Sequence, residues 1–158
     1  MNRTPLLVTL LGLAGLLPFL FCGFESLTRA AAWALPALVG YGAVTLAFLG
    51  AVHWGFALAP NAAPSGPTAP PPEAERLRLA LGAAPALAGW IALLLPSWAG
   101  LLLLIAGFIA TAVVEAAGQR RTLVPHGYMW LRWAHSVIVV AILTTVLVLR
   151  LIGATIVL

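Results

Sequence analysis

Four ionisable residues stand inside otherwise apolar sequence: His53, Glu115, Arg132 and His135. Such a group is costly in hydrocarbon unless it finds a partner, so each is a candidate for function or for a specific structural contact. Two imidazoles and a carboxylate are donors that hold a metal, and two imidazoles can hold a haem iron. A histidine beside a carboxylate can also relay protons, because imidazole titrates near neutrality. Arg132 precedes His135 by one helical turn. With Trp54 and Trp133 as walls, the four residues outline a ligand pocket for a lipophile such as a quinone, haem or lipid. No local spacing demands a metal. The chain has no Walker sequence, HExxH, GxSxG or CxxC. Cys22 is the single cysteine, which excludes an intrachain disulfide and a cysteine-based metal site. No catalytic residue, metal or cofactor is assigned, and the chain reads as a non-enzyme.

The elements that must position these residues are membrane spans. The chain of 158 residues is 63% hydrophobic and 8% charged, with a mean hydropathy of +1.08. Five apolar stretches, about 5–24, 31–58, 77–95, 98–117 and 131–156, approach or exceed the length that crosses ~30 Å of hydrocarbon. The expected fold is a single all-α domain, a polytopic membrane bundle of five transmembrane helices over residues 1–158. Met1-Asn2-Arg3 and the apolar run behind it resemble a signal peptide. That run is long for one, and no small-x-small cleavage site follows it, so it is read as a retained first span. Segment 59–75 carries six of the twelve prolines and reads as an extended linker.

The charge of +4 comes from eight arginines against four glutamates. Arg3, Arg76, Arg78, Arg120, Arg121 and Arg132 flank the spans on one side, and Arg29 and Arg150 on the other. Positive residues stay inside, which places the N-terminus in the cytoplasm and the C-terminus outside. Arginines scattered among short membrane loops exclude a nucleic-acid surface and favour a bilayer, here a bacterial inner membrane. Alternating spans bring His53, Glu115 and His135 to one membrane face, with Tyr128, Trp130 and Trp133 at similar depth as an interfacial belt.

Ala43, Ala47, Ala51 and Gly55 recur every four residues in the second span, with Gly50 beside them. Small residues at that spacing let a second helix backbone approach, so this span is expected at the centre of the bundle. Pro18, Pro36 and Pro85 should bend their helices or free carbonyls.

The run Gly40-Tyr41-Gly42-Ala43-Val44-Thr45-Leu46-Ala47-Phe48-Leu49-Gly50-Ala51-Val52-His53-Trp54-Gly55 resembles the signature of a bacterial and mitochondrial membrane family of unknown function. This is the DUF3429, or transmembrane-protein-sixty-nine-like, family. Gly15-Leu16-Leu17-Pro18-Phe19, Ala84-Pro85-Ala86-Leu87-Ala88-Gly89-Trp90 and Val124-Pro125-His126-Gly127-Tyr128-Met129-Trp130-Leu131-Arg132 are similar to further segments of that family. In the last of these, His126-Gly127 replaces the residue expected before Tyr128. The resemblance implies an integral inner-membrane bundle and no established activity. The function expected is that of a non-enzymatic accessory or assembly subunit of a larger respiratory or photosynthetic membrane complex. The alternative is a lipophilic-ligand binding protein, and a third reading is a small proton-linked transporter.

Overall fold

The computed structural model describes residues 4–28, 31–58, 72–119 and 126–153. Among these there are only helices: α1 (Thr4–Ala14), α2 (Leu17–Thr28), α3 (Ala34–Leu58), α4 (Pro72–Leu94), α5 (Ser97–Gln119) and α6 (His126–Leu151). Four stretches are long and apolar enough to cross a membrane: Thr9–Thr28, Ala34–Gly55, Ser97–Ala116 and Arg132–Leu151. A shorter apolar helix, Leu79–Leu94, lies within α4. The five-helix bundle expected from the hydropathy pattern is the observed architecture.

The first span is broken. The Leu16 N–H reaches back only to Leu13, tightening the turn at Gly15-Leu16 before α2 begins. Pro18 cannot donate to a preceding turn, so it suits the first turn of a new helix and not the interior of an old one. The Tyr41 hydroxyl donates to the Gly15 carbonyl at 2.9 Å and satisfies the break from α3. Pro36 and Pro72 likewise sit in first turns, so α4 starts before position 77, in the Pro-rich stretch. The remainder of that stretch, 59–71, lies outside the described residues. At the other end, α6 closes before position 156, where Gly153 takes φ 67°, a left-handed turn suited to glycine.

Helix α3 packs against α2, α4 and α5, while α6 packs against α1, α2 and α5. At the middle sits Phe19 of α2, fully buried. Its ring stands edge-on to Tyr41 of α3 at 4.9 Å, to Phe108 of α5 at 6.4 Å and to His135 of α6 at 6.4 Å. One aromatic therefore meets a ring from each of the three neighbouring helices, an arrangement that aromatic quadrupoles favour.

The face of α3 toward α4 is built from absent side chains. A Cβ on Gly50 would lie 2.9 Å from the Gly82 carbonyl oxygen, and one on Gly89 would lie 2.8 Å from the Ala43 carbonyl oxygen. Close backbone approach of this kind is the main packing force open to helices in lipid. Rotation at about 100° per residue explains which members of the small-residue series take part. Gly50 returns to within about 20° of Ala43, Ala47 drifts by about 40°, and Ala51 and Gly55 drift by about 80° and 120°. Accordingly Ala43 and Gly50 line the seam, Ala47 is half-buried, and Ala51 and Gly55 face outward.

Candidate functional site

The same rotation gives α3 a second inward face, roughly 80° from the first, carrying Gly42, Leu46 and His53. Gly42 and Leu46 meet Leu104 and Gly107 of α5. One to two turns further along this face, His53 arrives opposite Glu115, near the C-terminal end of α5. Because α6 runs antiparallel to α5, Arg132 reaches the same level from its N-terminal part.

Glu115 is the hub. Its Oε1 lies 3.0 Å from His53 Nε2 and its Oε2 lies 2.9 Å from Arg132 Nε. Paired with a guanidinium, Glu115 reads as a carboxylate and can only accept, so His53 donates through Nε2. The contact at Oε2 is a close ion pair without the alignment of a hydrogen bond. Arg132 spends its other nitrogens nearby. Nη2 donates to Thr111 Oγ1 at 3.0 Å, and Nη1 donates to Ser136 Oγ in a very short contact. Thr111 in turn donates back to the carbonyls of Gly107 and Phe108, at 2.9 and 3.1 Å. His53, Glu115, Arg132 and Ser136 are all buried, with Glu115 and Arg132 each 2% exposed.

This cluster is a clasp. It ties α3, α5 and α6 together at one end of the bundle, and opposite charges cancel where hydrocarbon would penalise either alone. Among the described residues no group of three or more His, Cys, Asp or Glu is placed to hold a metal ion.

His135 does not join the clasp. On α6 it lies about 60° to one side of Arg132, whereas Ser136 lies about 40° to the other. It faces the break in the first span, within reach of the Gly12 backbone and 3.8 Å from where a Cβ on Gly15 would stand. Its Nε2 is buried and has no hydrogen-bond partner among the described residues.

The two tryptophans face outward, Trp54 46% exposed and Trp133 40%. The Trp54 indole donates to the Leu79 carbonyl at 3.0 Å and lies across Gly82, covering the α3–α4 seam and not the clasp. The side chains of Tyr128 and Trp130 lie outside the described residues.

Sequence reasoning passed over Thr111 and Ser136. Neither is unusual as a residue. The signal was their spacing, because Ser136 follows Arg132 by four residues and a buried guanidinium must spend all its donors. The second missed feature is a groove of about 630 Å³ on the outer side of α5 and α6. Its lining runs from Trp133 to Leu149 along α6, Ser136 included, and takes in Phe108, Ile109, Ala112 and Val113 of α5.

Apolar helices of spanning length around an internally neutralised ion cluster define a multi-pass helical membrane protein. Within that class, the chain belongs to the DUF3429 family, described as proteins of unknown function, whose family model matches residues 4–148. No curated protein and no solved structure matches the chain.

Proposed function

We propose that this protein is a non-enzymatic accessory or assembly subunit that docks against a larger inner-membrane complex, respiratory or photosynthetic. The observation that carries this reading is the pairing within the clasp. His53, Glu115 and Arg132 bind one another, so these three buried groups help hold the chain's own helices in place. What remains for work is the apolar outer surface. On α3 that surface includes a strip of Val44, Phe48, Ala51 and Gly55, all exposed, and nothing among the described residues lies within 4 Å of a Cβ added at Gly55. A partner helix can approach such a strip closely.

The test is native mass spectrometry of protein extracted gently from its own membranes, with Ala51→Trp as the control. Co-released subunits that disappear in the variant support the reading. A chain that runs alone at every detergent level contradicts it.

We also place the N-terminus inside and the C-terminus outside. With Arg132 withdrawn into the clasp, five arginines (Arg3, Arg76, Arg78, Arg120, Arg121) still stand against two (Arg29, Arg150). A reporter fused after Leu158 should read external, and an internal signal would reverse the assignment.

The second reading, binding of a lipophilic ligand, is favoured by the groove. It lies beside the clasp and not inside it, and it has the volume of typical ligand sites, roughly 300–1,000 Å³.

A further inference from the structure

Resting on that second reading, the structure assigns a head-group site. We propose that the α5–α6 groove holds an uncharged, carbonyl-headed lipophile of the quinone class, with the Ser136 hydroxyl donating to its carbonyl oxygen.

Three observations lead there. The first is an uneven use of hydroxyls by Arg132. Thr111 and Ser136 both accept from the guanidinium, but only Thr111 passes its own proton on, to the Gly107 and Phe108 carbonyls. The Ser136 proton has no acceptor among the described residues, although the residue is 3% exposed. A buried hydroxyl donor left unused calls for a bound acceptor. Its oxygen already accepts from a cation, which polarises the O–H bond and strengthens it as a donor.

The second is where that hydroxyl lies. Ser136 lines the groove beside Trp133, whose exposed indole face offers a flat wall for a ring. Of the other hydroxyls lining the groove, Thr145 donates back to the Ala141 carbonyl at 2.8 Å, and Thr144 is exposed on the outer surface. Ser136 is the buried one.

The third decides the charge of the occupant. None of the described residues lining the groove is ionisable. Arg132, just behind it, has Nε on Glu115, Nη1 on Ser136 and Nη2 on Thr111. A phosphate head would find no uncommitted cation among the described residues lining the groove. Ser136 lies four residues, about 6 Å, inside the apolar stretch Arg132–Leu151. A neutral carbonyl with an apolar tail fits the uncharged lining, the tail following the groove toward Leu149.

The full chain reconstituted in phosphatidylcholine nanodiscs and titrated with decylubiquinone tests the proposal, read by tryptophan quenching. The expected curve has a saturable component above linear partitioning. Ser136→Ala should weaken that component about tenfold, the loss of one good hydrogen bond. Ala141→Trp, which fills the groove from its exposed side, should abolish it without touching the clasp. A saturable component unchanged in both variants would move the ligand elsewhere and sink this site while leaving the lipophile reading intact. Linear partitioning alone would sink both. Displacement by phosphatidylglycerol at equal mole fraction would show that the occupant is an anionic phospholipid and not a quinone.

Discussion

Helix α3 is held on two sides by opposite means. Toward α4 it presents a seam of absent side chains, with Ala43 and Gly50 against Gly82, Pro85 and Gly89 and one backbone on another. Toward α5 and α6 it presents His53, hydrogen-bonded to Glu115 of the buried Glu115–Arg132 ion pair. The seam has no polar alternative to lose, and it fails by steric excess. The clasp fails by deficit, when one charge loses its partner. Lipid enforces this division, because it offers no hydrophobic force between helices and no water to rescue a stranded charge.

The sharpest break between the two regions should come from Glu115→Gln. It leaves the Arg132 guanidinium buried without a counter-charge and should cost about 3–5 kcal/mol, read as a lowered unfolding midpoint in detergent. Next is Gly89→Ala in the seam. The added Cβ meets backbone at Ala43, so the helices must part, at a cost of about 1–3 kcal/mol. An equal or larger loss than that of Glu115→Gln would invert the comparison. Tyr41→Phe removes the hydroxyl that satisfies the first-span break, and it should cost only about 0.6 kcal/mol, the usual scale of such bonds between membrane helices. Smallest is Gly55→Ala, on α3 but turned away from both regions. It should stay within about 0.5 kcal/mol of the parent, and a large loss would mean that α3 has a third packed face.

Much of this was readable in the residues. Span positions follow from apolar length, and a bend in the first span follows from Pro18. That His53, Glu115 and Arg132 share one end follows from alternating helix direction alone. Rotation about the helix axis was not readable, and it decided the rest. His135 precedes Ser136 by one residue, yet one faces the Gly15 break and the other the clasp, because each residue turns the helix by about 100°. The same rotation carried Trp54 and Trp133 to the outside and dispersed the four-residue series of small residues, which keeps one face only when the step is near seven. Arg132 counted among the flanking arginines by position, and only the proximity of Glu115 makes it an internal ion.

The most direct test of the clasp is a double-mutant cycle on Glu115 and Arg132, with each replaced by Leu singly and both together, read by thermal unfolding of purified protein. Pairing predicts that each single change costs about 3–5 kcal/mol and that the double change restores most of the loss, since neither charge is then stranded. Additive losses in the double variant would contradict it, because each residue would then be serving a partner other than the one it touches.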